Sequence, residues 1–201
     1  MQSFLLTIDR LNTGIGKLFG WAILLLTLAI SYEVVSRYLF GRPTTWAFDA
    51  SYMLYGTLFM MAGPYTLARN GHVRGDFLYR NWPPRRQAMT DLVLYFVFFF
   101  PGICALVYAG WNYFHLAYLI NERSSFSPFG PIVWPYKAII PITGALMLLQ
   151  GIVEVLRCIM CIRTGQWPPR LHDVEETEAL AIEGMSGQQD EVEQFNEGRR
   201  S

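Results

Sequence analysis

The chain has 201 residues, 52% of them hydrophobic and 15% aromatic, and its 16 basic and 16 acidic groups cancel. Only 16% of residues are charged, against about 25% in an average soluble domain, which argues against an ordinary soluble enzyme. The cancellation hides a split: residues 1–170 carry a balance of +7 and residues 171–201 one of −7, and with no basic stripe on a soluble surface, nucleic acid is not a partner.

Residues 1–17 read as a cytoplasmic segment carrying Arg10 and Lys17. Four stretches then supply the roughly 20 mostly apolar residues that a helix needs to cross about 30 Å of hydrocarbon. They run over about 18–40, 46–68, 88–111 and 133–157. Four such runs would leave a soluble fold with no amphipathic elements to cover them. The chain therefore reads as an all-α integral membrane protein, with a four-helix membrane domain over 18–165. Its first run continues into Glu33 and Arg37 without a small-residue cleavage pattern, so it reads as an uncleaved span and not a secretory signal. Residues 166–201 form an acidic tail too poor in apolar groups to offset ordering entropy, and are expected to be disordered.

Lys and Arg near span ends are retained on the cytoplasmic side. Arg10 and Lys17 precede the first span, Arg69, Arg74, Arg80, Arg85 and Arg86 join the second to the third, and Arg157, Arg163 and Arg170 follow the fourth. The opposite side holds only Arg37, Arg42, Arg123 and Lys137. Both termini and the middle loop are expected to be cytoplasmic.

Charged and polar residues inside apolar runs normally face protein or water. Glu33 and Arg37, four apart, share a helix face, which fits an ion pair near the outer interface or a contact to another helix. Asp49, three after Trp46, suits the positive end of a helix dipole. Gln150 sits near mid-membrane, where its amide is expected to hydrogen-bond across the bundle. Glu154 and Arg157 read as an interfacial pair. Pro101-Gly102 and Pro141 with Gly144 suggest kinked packing of the third and fourth helices.

No catalytic arrangement emerges. His72, His115 and His172 fall at different faces of the expected topology, and no histidine pair at facing depths offers a haem site. Cys158-Ile-Met-Cys161 has CxxC spacing without a second pair or a thioredoxin context. Neither a cofactor nor a metal site is expected. Two rival classes are the membrane anchor of a respiratory oxidoreductase and a self-sufficient small homo-oligomeric transporter. The missing histidine pairs disfavour the first, and the lack of a polar path across the membrane disfavours the second.

Five segments carry a family likeness. Arg37-Tyr-Leu-Phe-Gly-Arg-Pro-Thr-Thr-Trp46 with Asp49 resembles the first outer loop of the small permease subunit, the DctQ type, of tripartite ATP-independent periplasmic (TRAP) transporters. Ala68-Arg-Asn-Gly-His-Val-Arg-Gly-Asp76 resembles that family's signature at the cytoplasmic end of the second helix, with His72, Arg74 and Asp76. Glu122-Arg-Ser-Ser-Phe-Ser-Pro128, including Ser124, is similar to its second outer loop, and Trp134-Pro-Tyr-Lys137 and the run from Pro141 to Gln150 to its fourth helix. Where the family often has Glu after the Trp, this chain has Asp49. The resemblance implies a scaffold subunit with partners in a large permease subunit (DctM type), a periplasmic substrate-binding protein and membrane lipid, serving ion-coupled uptake of an organic acid or related small solute. Together, the resemblance and the polar residues within the apolar runs point to structural or partner-contact roles for Glu33, Arg37, Trp46, Asp49, His72, Arg74, Asp76, Glu122, Ser124, Lys137, Gln150 and Glu154.

Overall fold

The computed structural model describes residues 2–69, 82–127 and 130–168. The middle-loop signature with His72, Arg74 and Asp76, and the acidic tail beyond residue 168, lie outside the described residues. Among the described residues, six α-helices run in chain order: α1 Gln2–Gly20, α2 Ala22–Leu39, α3 Ala47–Ala68, α4 Pro84–Leu94, α5 Phe100–Leu119 and α6 Trp134–Thr164. A π turn, Tyr95–Phe99, fuses α4 to α5. No strand occurs among the described residues, only an isolated bridge between Arg123 and Ile132 in the loop before α6.

Among the described residues, three elements are long and apolar enough to cross a membrane: the α1–α2 segment Gln2–Leu39, the α4–α5 segment Pro84–Leu119, and α6. Helix α3 has 22 residues but is less apolar than these, because Asp49, tyrosines, threonines, glycines and Pro64 dilute it. The chain pattern explains the boundaries. Pro84 enters α4 at its start, where the missing N–H is no loss. Pro101 has no N–H for the ladder, and the turn before it widens to π spacing, so the irregularity falls at Tyr95–Phe99 while the helix continues. Helix α6 runs through Pro141 to Gly165, whose left-handed φ of 78° stops it.

Helices α3, α5 and α6 pack side by side. At Gly110 an added Cβ would stand 2.7 Å from Ile140, and at Gly144 it would stand 2.5 Å from Val107. The two helices therefore touch through missing side chains, as close membrane helix pairs do. Helices α3 and α6 run parallel in register, since Gly56 faces Tyr136, Thr143 bonds Met61 and Gly63 faces Met147. One end of the bundle holds the loops 40–46 and 120–133, here the loop end. The other holds α1 and the last turns of α3 and α6, here the terminal end. Among the described residues, the apolar cores sit at the terminal end: Leu5 and Ile8 of α1 against Val153, and Ala88 against Cys158 and Cys161. The cysteines pack as small hydrophobes beside Leu92, Tyr95 and Trp167.

Residues 1–17 are more than a tether. Most of this segment is helix, and Leu5, Ile8, Asp9 and Asn12 are buried on one of its faces.

Candidate functional site

Most of the buried polar groups gather at the two ends of the bundle, with Thr143 between them. At the loop end, Glu33 and Arg37 pair as their spacing predicts, with Arg37 Nε donating to Glu33 Oε1 at 2.9 Å. The other carboxylate oxygen of Glu33 accepts from the backbone N–H of Thr44 at 2.9 Å and from its hydroxyl. Glu33 thus ties α2 to the loop that leads into α3, a partner that sequence alone did not suggest. Trp46 stands at the start of α3 and stacks on Tyr32, ring centroids 6.0 Å apart.

Asp49 lies in the first turn of α3, where the unpaired N–H groups of a helix start favour a carboxylate. It is wholly buried and accepts a hydrogen bond from the Ser124 hydroxyl, 75 positions away. Ser124 also receives the N–H of Phe126, and its own N–H donates to the Pro131 carbonyl at 2.9 Å. One acceptor therefore anchors the loop between α5 and α6. A few residues on, Lys137 bonds Glu122 at 2.5 Å and sits 3.8 Å from the Tyr113 ring centroid, clamping the loop base to α6. Phe126 rests edge-on against Phe48 and Tyr52. The loop end is a pinned platform.

At the terminal end, Gln150 does bond across the bundle. Its Nε2 donates to Asp9 Oδ1 at 2.9 Å and to Glu154 at 3.4 Å, and its Oε1 accepts from Asn12 at 2.7 Å. Arg157 donates to Glu154 Oε1 at 2.7 Å and, through its other terminal nitrogen, to Asp9. Asp9, Asn12, Gln150, Glu154 and Arg157 are each at most 2% exposed. Glu154 and Arg157 do pair, and α1 covers the pair so that neither side chain is exposed. Asp9 and Asn12 were missed. Their signal was helical spacing, since Leu5, Ile8, Asp9 and Asn12 share one arc of a helix, with two polar members among apolar ones.

The two ends differ in what a substitution does. The Arg37 side chain is 54% exposed, and exposed pairs contribute about 1 kcal/mol or less. Arg37→Ala is expected to shift the thermal unfolding midpoint of the purified chain by no more than about 4 °C. A larger shift would show that Arg37 acts through something other than Glu33.

Chemically, these groups orient helices and loops. Among the described residues, no group of three or more His, Cys, Asp or Glu side chains could hold a metal ion. Between the two ends, the polar groups of α3 and α6 are chiefly Thr57, bonded to its own helix, and Thr143, bonded to Met61.

Helices of this length and apolarity, tied at both ends by buried polar pairs, define a helical membrane protein whose polar groups fix architecture. Residues 26–160 match the DctQ component of tripartite ATP-independent periplasmic transporters. The chain belongs to that family, and is a membrane component of a transport system. The comparison with curated proteins found no match.

Proposed function

We propose that this chain is the small membrane subunit of a TRAP-type secondary transporter in the bacterial inner membrane. It scaffolds a large permease subunit and helps dock a periplasmic substrate-binding protein, for ion-coupled uptake of an organic acid or related small solute. The family match over 26–160 supports the partners. The observation that carries the scaffold role is the separation of buried polar groups into two ends, since a substrate site needs polar groups converging at depth.

The proposed topology has four spans, with α3 as the second and both termini cytoplasmic. The 22 residues of α3 support its crossing, being about 33 Å at 1.5 Å per residue. The arginine-rich connections support the orientation. The loop end then faces the periplasm, and Asp49, Ser124, Glu122 and Lys137 hold the surface that meets the binding protein. In intact cells, a cysteine at Ser125 should react with an impermeant thiol reagent added outside, and one at Gln166 should not. The reverse pattern would overturn the orientation.

The experiment for the function itself is co-expression of the tagged chain with its large subunit, followed by uptake in vesicles with and without the binding protein. Co-purification and three-part dependence are expected. Uptake by this chain alone would overturn the scaffold reading.

A further inference from the structure

The buried network does more than close the terminal end, because it fixes the rotation of α1. Asp9 is held by Arg157 and Gln150, and Asn12 by Gln150. At Gly16 an added Cβ would come 2.5 Å from the Tyr65 Cβ. With that face committed, the others point outward in a set direction. Phe4, Leu11 and Leu18 recur every seven residues along one outward side, and are 55%, 49% and 68% exposed. Arg10 and Lys17, also seven apart, form a second outward side and are exposed. The one acid of α1, Asp9, is already held by Arg157, so the free faces of the helix are basic and apolar with no carboxylate.

Depth says what meets them. From Trp134, Gln150 lies about 24 Å along α6, Val153 about 28 Å and Arg157 about 35 Å, at 1.5 Å per residue. Hydrocarbon is about 30 Å thick. The contacts of α1 run from Gln150 at Asn12, through Val153 at Leu5 and Ile8, to Arg157 at Asp9, so the helix lies about the level where hydrocarbon ends. Trp21, 66% exposed, marks the junction with α2, the depth at which membrane tryptophans collect. Apolar and basic faces on one helix at this level match a helix lying in the lipid interface. The apolar side also continues into the exposed Leu25 and Leu28 of α2.

We propose that α1 is an interfacial helix that recruits anionic phospholipid in the cytoplasmic leaflet: Phe4, Leu11 and Leu18 enter the acyl chains while Arg10 and Lys17 hold phosphate headgroups. Charge complementarity selects the lipid. A basic group near such a surface gives about a fivefold preference for anionic lipid. The proposal rests on the cytoplasmic placement of the N-terminus proposed above.

The test uses the full chain carrying Cys104→Ser and Gly14→Cys. Cys158 and Cys161 are buried, and a Cβ at Gly14 meets nothing within 4 Å, so a fluorophore placed there leaves the docked face intact. The labelled chain is reconstituted in phosphatidylcholine–phosphatidylglycerol vesicles. Each lipid is supplied in turn with a headgroup spin label at equal mole fraction. Spin-labelled phosphatidylglycerol is expected to quench about fivefold or more strongly than spin-labelled phosphatidylcholine. The Arg10→Gln/Lys17→Gln variant, which alters only exposed positions, is expected to bring the two near parity. Equal quenching in the unaltered protein would overturn the proposal. So would quenching by aqueous iodide alone, which places α1 in water. Loss of lipid quenching on adding the large subunit would give this face to a protein partner instead, and overturn it too. Failure of the topology is separately visible, as reaction of Gly14→Cys with an impermeant reagent added outside intact cells.

Discussion

Arg157→Met is expected to destabilise the purified chain by about 3–5 kcal/mol, seen as a fall in thermal unfolding midpoint of about 10 °C or more. One guanidinium donates to Asp9 and to Glu154, and all three groups are at most 2% exposed. Methionine fills much of the arginine's volume but leaves two carboxylates facing each other without their shared donor. Their charge is then stranded away from water, which costs far more than the pair itself contributes when intact. Asp9→Asn keeps the amide bond from Gln150 and removes one charge, so its effect should be smaller. The triple replacement Asp9→Leu, Glu154→Leu and Arg157→Met should recover most of the loss, because no charge remains to be stranded. The measurement is thermal unfolding of each variant in the same detergent. A single variant as stable as the parent, or a triple no better than the single, would sink this account.

Apolar runs made much of this architecture legible. Leu18 to Phe40 and Val133 to Arg157 announce themselves by hydropathy, and both are helical in the structure. Several helix ends reach beyond the apolar runs for local reasons. The third run was expected over 88–111, yet α4 begins at Pro84 and α5 runs to Leu119. The added ends carry Arg85, Arg86, Gln87 and His115, polar residues that suit a helix leaving the hydrocarbon but lower the average that marks a span. Helix α1 escaped for the same reason: it is apolar on some faces only, and a hydropathy window averages all of them.

Pairings followed sequence distance. Glu33 with Arg37 is an i,i+4 contact, readable from spacing alone. Gln150 was recognisable as an amide in need of a partner, but not which partner. Asp9 and Arg157 are separated by 148 positions, and no local pattern links them. Ser124 was known only by resemblance, and its physical role as the donor to Asp49 waited for the fold to bring the α5–α6 loop over the start of α3.

That last contact carries the second large effect. Asp49→Ala is expected to release the α5–α6 loop, raise the dissociation constant of the periplasmic binding protein about tenfold or more, and lower uptake accordingly. Hydrogen bonds to a charged acceptor contribute about 1.5–3 kcal/mol, which corresponds to about tenfold or more in an equilibrium. In the altered chain the Ser124 hydroxyl is left facing a methyl group, and the loop retains the Glu122–Lys137 clamp at its base and the packing of Phe126 on Phe48 and Tyr52, but no hydrogen bond to Asp49. Asp49→Asn keeps an oxygen that can accept from Ser124, so it should restore part of the docking. Co-purification with the large subunit should persist in both variants, because the buried network at the terminal end and the close α5–α6 contacts at Gly110 and Gly144 lie elsewhere. Substrate preference should also persist, since Asp49 sits at the edge of the bundle and its bonded partner is a loop residue. The measurements are binding-protein affinity for the reconstituted complex, pull-down of the large subunit, and uptake across a substrate panel. A changed preference with docking and assembly intact would mean that the loop end takes part in selecting substrate, and the scaffold reading would have to be abandoned.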